Sequence, residues 1–215
     1  MPRAFTDTER ATIRDKLMEA GRSCFLRYGP RKTTIEDVVR PAGIAKASFY
    51  LFFDSKESLF VELMLEEMPA MMERLLDASF RRSENARDAL VLLMQAIVHE
   101  IETNELSRIL LDDPSELARV AAGLDFDRVL DQSATMFAPL LQQIVDAQER
   151  GEVVEGDPLQ IAYSLGLIKL LPLNKDRIPD RLYDSLMSFA PRVIADGLTC
   201  PPRSKTGRTG LMKEA

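Results

Sequence analysis

Gly43 stands between two apolar-patterned segments, each too short to be an ordinary helix, and this limits the fold more than any other feature of the chain. Upstream, Thr33-Thr34 precedes Ile35, Val38, Val39 and Ala42. Downstream, the segment from Ala45 to Phe53 carries Phe49 and Phe53 on one face. Steps of three and four place such residues on one side of a helix. Glycine adopts the left-handed backbone that ends one helix and turns the chain toward the next. Thr34 with Asp37, or Thr33 with Glu36, can cap the first of the two. Two short helices hinged on a glycine and buried against a third spell a helix-turn-helix.

The third helix is at hand. Thr6-x-x-Glu9 is a capping box, and Ile13, Leu17, Ala20, Cys24 and Tyr28 follow at helical steps until Gly29-Pro30 is expected to end the run. Beyond the hinge, Asp54 or Ser55 starts a long helix striped with Leu59, Phe60, Leu63, Met64, Met68, Met71, Met72, Leu75 and Leu76, which Pro69 is expected to kink. Further helices are predicted over 85–103, 105–111, 126–150, 157–171 and 181–198, with a turn or two over 116–122. The segment 85–103 is apolar almost all round, as a central buried helix would be. No run alternates as a strand would. The predicted fold is all-α: a three-helix head with the helix-turn-helix over 1–55, a body of roughly six helices over 56–199, and a disordered tail over 200–215.

Charge divides along the same line. Residues 1–60 hold eleven Lys/Arg against eight Asp/Glu, and the remaining 155 hold seventeen against twenty-six. A basic head on an acidic body is a weak footprint for nucleic acid. Two cysteines far apart give no disulfide framework, the polar N-terminus reads as no signal peptide, and the apolar stretch 161–173 is too short to span a bilayer. A cytoplasmic protein without membrane contact is expected. His99 is the only histidine, so neither a metal site nor a base beside a nucleophile is assembled, and no Gly-x-Ser-x-Gly or phosphate-binding glycine loop occurs. No cofactor, no metal and no enzymatic activity are expected.

With Phe49 and Phe53 buried, the outer face of the second short helix presents Lys46, Ala47, Ser48 and Tyr50. Small residues let a helix approach base edges in the major groove, while Lys46 and the Tyr50 hydroxyl supply contacts to guanine or phosphate. Thr33 and Thr34 at the preceding helix start, and Lys56 at the next, complete the set expected on double-stranded DNA.

The run Thr33-Thr34-Ile35-x-x-Val38-x-x-x-x-Gly43-Ile44-x-Lys46-Ala47-Ser48-Phe49-Tyr50-x-x-Phe53-x-Ser55-Lys56-Glu57-x-Leu59 resembles the DNA-binding signature of the TetR (tetracycline-repressor-type) family, over roughly residues 10–65. The resemblance implies a homodimer on a near-palindromic operator, with the last two long helices forming a four-helix interface. Leu165, Ile168, Leu182, Leu186, Phe189 and Val193 are the candidate interface residues. It also implies a repressor released from DNA when a small molecule enters the body; ten methionines suit an adaptable apolar cavity, and the inward-facing Met94, Ile97, Val98, Ile101, Leu110, Phe126, Met136, Phe137 and Tyr163 are the candidate pocket residues. Three positions depart from the pattern. Ala45 replaces a capping serine at a cost of about 1 kcal/mol, Pro41 disfavours helical geometry at Arg40, and Phe52 replaces a polar ring. Two other readings stay open: an architectural or cell-cycle DNA-binding protein on the same fold without an effector, and a helical ligand-binding module whose head binds DNA poorly.

Overall fold

The computed structural model describes residues 5–113, 115, 120 and 126–199, the side chains of 126–134 excepted. The segment expected to form a turn over 116–122 and the tail expected to be disordered over 200–215 lie almost wholly outside these residues. Among the described residues there are helices and turns and no strand. In chain order they are α1 (Asp7–Lys32), α2 (Ile35–Ala42), α3 (Lys46–Phe49), α4 (Lys56–Ala78), α5 (Ala86–Thr103), α6 (Glu105–Asp112), α7 (Phe126–Glu149), α8 (Pro158–Gly166), α9 (Leu170–Leu173) and α10 (Asp180–Thr199).

Local chemistry sets the boundaries. Thr6, Thr34 and Ser55 each close a capping box with the residue three positions on, which satisfies donors that a helix start leaves orphaned. Gly29, with φ of 75° and ψ of 158°, breaks the long helical run of α1 where the sequence places its end; Pro30 to Lys32 add one further turn, which the Thr33 N–H closes on the Gly29 carbonyl at 3.2 Å. Pro69 sits exposed within α4 and does not break it. The predicted continuous helix over 157–171 instead tightens into a 3-10 turn at Leu167–Lys169 before α9. Pro172, which has no N–H to give the Ile168 carbonyl, lies just beyond that tightening.

Two buried clusters hold the chain together. One gathers Leu17 and Phe25 of α1, Val38 and Val39 of α2, Phe49, Phe53, and Leu59, Phe60 and Leu63 of α4; Leu106 and Leu110 of α6 complete it. The expected boundary at residue 55 therefore falls inside one continuous packed group. The second cluster centres on α5, which packs against α4, α6, α8, α9 and α10. There Leu90, Leu93 and Met94 meet Met72 and Leu75 of α4, Ile144 of α7, Leu165 of α8 and Ala195 of α10. Removing a large apolar side chain of this kind from water contributes roughly 1.5–3 kcal/mol.

Polar ties cross the same contacts. Arg74 forks both oxygens of Glu100 at 2.7 Å, joining α4 to α5. Arg87 reaches Asp196 at 2.6 Å, joining α5 to α10. Glu67 of α4 accepts from Arg22 of α1 and, at 2.6 Å, from the Asn104 amide. Asn104 itself both ends α5 and caps α6.

Candidate nucleic-acid interface

The geometry starts at the turn. Gly43 has φ of 73°; its N–H donates to the Arg40 carbonyl and the Ile44 N–H to that of Val39. This pairing closes a helix and redirects the chain. Pro41 stays within α2, so Arg40 remains helical against expectation. The Asp37 carbonyl, which a residue other than proline at 41 would engage, instead faces the Cys24 thiol at 3.8 Å.

α3 is shorter than predicted: four residues are helical and the chain then turns through Tyr50 to Phe52. Ala45 caps it without any side-chain bond. Phe49 and Phe53 are buried, with ring centroids 5.7 Å apart, and they anchor the segment. Phe52 packs against Phe5 at 6.2 Å and lies under the Arg10 guanidinium at 5.5 Å, while Arg10 donates to the Leu51 carbonyl at 3.2 Å. Phe5 and the start of α1 thus brace the turn that follows α3, a role for Phe5 and Arg10 with no periodic signal in the sequence.

The seven residues expected on DNA separate into two groups. Lys46, Ala47 and Tyr50 are exposed, with the Tyr50 ring set edge-on to Phe49, and Ser48 is half-buried beside them. Thr34 is exposed, but its hydroxyl and N–H both donate to Asp37, at 2.6 and 3.0 Å. These bonds hold the Asp37 carboxyl below its usual range. Thr33 and Lys56 turn inward, against expectation. Thr33 is only 1% exposed and its hydroxyl donates to the carbonyls of Gly29 and Cys24. The Lys56 ammonium donates to the carbonyls of Pro30, Arg31 and Thr33 at 2.6–3.2 Å. These carbonyls lie at and just beyond the C-terminal end of α1, where no further helical N–H follows, and a cation is well placed to take them. One acidic residue joins the face: Glu36 of α2 pairs with the Lys46 ammonium at 2.7 Å. That bond lowers the Glu36 carboxyl and raises Lys46 from their ordinary values. The sequence offered Glu36 only as a cap; its contact is made across the Gly43 turn, which no helical period reveals.

The pocket and interface candidates also divide. Met94, Ile97, Val98 and Phe137 come together in the α5-centred cluster. Leu110 belongs to the other cluster, packed under the head. Met136 lines an open groove of about 210 Å³ with Arg14, Met18, Glu62 and Leu65. Ile101 is half-buried, Tyr163 is exposed, and the Phe126 side chain lies outside the described residues. Phe137 and Tyr163 meet ring to ring at 6.5 Å, yet the eight described candidates are spread over both clusters and the surface and do not line one cavity. Leu165 and Ile168 are buried against α5 within the protomer and are not presented to a second copy. Leu182, Phe189 and Val193 are exposed and Leu186 is half-buried, all along one side of α10. Among the described residues no helix is long and apolar enough to cross a membrane, and no group of three or more His, Cys, Asp or Glu is placed to hold a metal.

Residues 17–63, the stretch that carries this geometry, match the model of the family described as bacterial regulatory proteins, tetR family. An HTH-type transcriptional regulator of Mycobacterium bovis is 24% identical over 178 residues, which cover 82% of this chain and 88% of that one. A crystal structure of a TetR-family regulator from Pectobacterium atrosepticum superposes with a TM-score of 0.69 at 21% identity, covering 93% of this chain and all of that one. The structure of RolR in complex with resorcinol superposes with a TM-score of 0.62 at 13% identity, over 91% of this chain and 98% of that one. Residues 17–63 thus carry the helix-turn-helix domain of the bacterial tetR-family regulators, and the chain as a whole is similar in sequence to HTH-type transcriptional regulators and has the fold of TetR-family proteins.

Proposed function

We propose that the protein is a homodimeric repressor that reads a near-palindromic operator through α3 and leaves it when a small apolar molecule binds the body. The observation that carries the DNA contact is the outer face of α3: Lys46, Ala47 and Tyr50 stand exposed on a segment whose inner residues, Phe49 and Phe53, are locked in the core. Ser48 borders that face, and Thr34 holds the start of α2 beside it. A short, anchored, small-residue surface with one cation suits major-groove entry. Footprinting the purified protein on DNA flanking its own gene at two salt concentrations tests this reading. A protected palindrome that weakens steeply with salt is the expected result. If selection from random duplexes also enriches nothing, the reading fails.

The exposed apolar side chains of the body favour the dimer. Leu159, Tyr163, Leu167 and Leu170 on α8 to α9 and Leu182, Phe189 and Val193 on α10 make up all of its large exposed hydrophobics among the described residues. Exposed apolar side chains gathered on these helices suit an interaction surface. Phe189→Glu should convert the dimer to a monomer by light scattering and abolish operator binding while the melting curve of the fold survives. An unchanged dimer would place the interface elsewhere.

The effector reading has support of a different kind. RolR, of similar fold, binds resorcinol, and Met72 and Met94 place adaptable thioethers in the body core around Leu93. A ligand releases DNA only by binding better to the spread arrangement of the heads, and the coupling equals that difference in affinity.

A further inference from the structure

The recognition segment presents its cation already occupied. Lys46 is the first residue of α3 and Glu36 lies in the first turn of α2; the Gly43 turn brings ammonium and carboxylate to 2.7 Å with both side chains about half exposed. Asp37, the neighbouring carboxylate, is held by Thr34 and is not a competitor for the cation. On the face that meets DNA, Lys46 and Glu36 thus cancel. A cation that is neutralised by its own protein releases no counterion from the duplex, and a carboxylate beside the phosphates repels them. An exposed ion pair is also weakly held, so an acceptor placed to suit Lys46 can displace Glu36. A duplex without such an acceptor meets the pair intact.

We infer that Glu36 is a specificity-determining residue: it restrains Lys46 and opposes the phosphate backbone, so that arbitrary DNA is bound poorly and only a duplex offering the right acceptor takes the lysine. This rests on the DNA-reading face proposed above and adds to it a repulsive element, which discrimination between partners commonly needs.

The experiment compares two duplexes, one enriched from random DNA by the wild-type protein and one of the same length and composition with shuffled sequence. Affinity is read by fluorescence anisotropy over a range of salt. Glu36→Gln keeps the size of the side chain and removes its charge. It should tighten binding to the shuffled duplex by roughly tenfold and change the enriched duplex by less than about threefold. The slope of log affinity against log salt on shuffled DNA should steepen by about two for a dimer that gains one phosphate contact per subunit. Glu36→Ala should do the same. Glu149→Gln, at the exposed end of α7, changes net charge equally far from the face and should leave both affinities unaltered. The inference is overturned if Glu36→Gln leaves the shuffled duplex unchanged, if it weakens both duplexes alike, or if Glu149→Gln reproduces its effect. If the wild-type protein enriches no duplex, the DNA-reading assignment itself fails and takes this inference with it.

Discussion

The head and the body bury different kinds of residue. The cluster beneath α3 is built on Phe25, Phe49, Phe53 and Phe60, with Phe25 and Phe60 set edge-to-face at 5.3 Å and Phe49 tilted on Phe53. Among the described residues the cluster around α5 holds no fully buried aromatic ring, and the buried Tyr183 of α10 lies apart from it. That cluster is Leu, Ile, Val and Ala with Met72 and Met94, and Phe80 and Phe137 only border it. Aromatic pairs favour particular ring geometries, whereas methionine fills irregular space and tolerates change. One core fixes the direction of a surface; the other can repack. Under the proposed function the first suits a face that reads bases and the second an interior that admits a ligand.

Substitution can break that contrast. Phe49→Ala should cost about 3–5 kcal/mol in urea unfolding and abolish DNA binding, because it removes the anchor of α3. Met94→Ala should cost about 2–5 kcal/mol. The sharper test keeps the volume nearer constant. Met94→Leu should cost less than about 1.5 kcal/mol, and Phe49→Leu clearly more, since a branched aliphatic cannot reproduce the ring contact with Phe53. Equal costs for the two leucine variants would show that the aromatic frame adds nothing beyond volume.

The same contrast explains what could be read in advance. The capping boxes at Thr6 and Thr34, the glycine turn at Gly43 and the inward Phe49 and Phe53 are local signals, each decided within a few residues, and the structure realises them. The inward turn of Thr33 and Lys56 carries no sequence mark, because their partners, the carbonyls at the end of α1, are set by tertiary contact; an exposed-looking lysine after a serine cap does not announce a backbone ligand. The body resisted more. Apolar residues at helical spacing look alike whether they face α5, a cavity or a second subunit. Leu165 and Leu182 read the same in sequence, yet one is buried within the protomer and the other is exposed.

A smaller effect is expected where α1 and α4 approach closely at Gly21. A Cβ on Gly21 of α1 would lie 2.6 Å from Leu59 Cδ2 of α4, and Leu59 is itself fully buried and has no free side to move to. Overpacking of this kind costs about 1–3 kcal/mol. Replacing a mid-helix glycine by alanine returns up to about 1 kcal/mol of helix propensity. Gly21→Ala should therefore lose about 1–2 kcal/mol by urea unfolding. A gain in stability would mean that the head core is looser than its rings imply, and closer in kind to the body.

The smallest effect tests whether rigidity of the recognition segment comes from its ends or from its core. Ala45 starts α3 with extended backbone, φ −72° and ψ 150°, suited to a cap, yet no side chain accepts there. The Ser48 N–H already reaches the Ala45 carbonyl at 2.9 Å, so a hydroxyl at 45 has only part of the usual benefit left to supply. A serine cap in place of alanine is typically worth about 1 kcal/mol, and for Ala45→Ser about half of that is expected. Because Phe49 and Phe53 already hold α3 in place, operator affinity should rise by no more than about twofold. A tenfold rise would mean that α3 frays in the free protein and is completed on DNA, and the contrast between a fixed head and an adaptable body would then have to be drawn within the head as well.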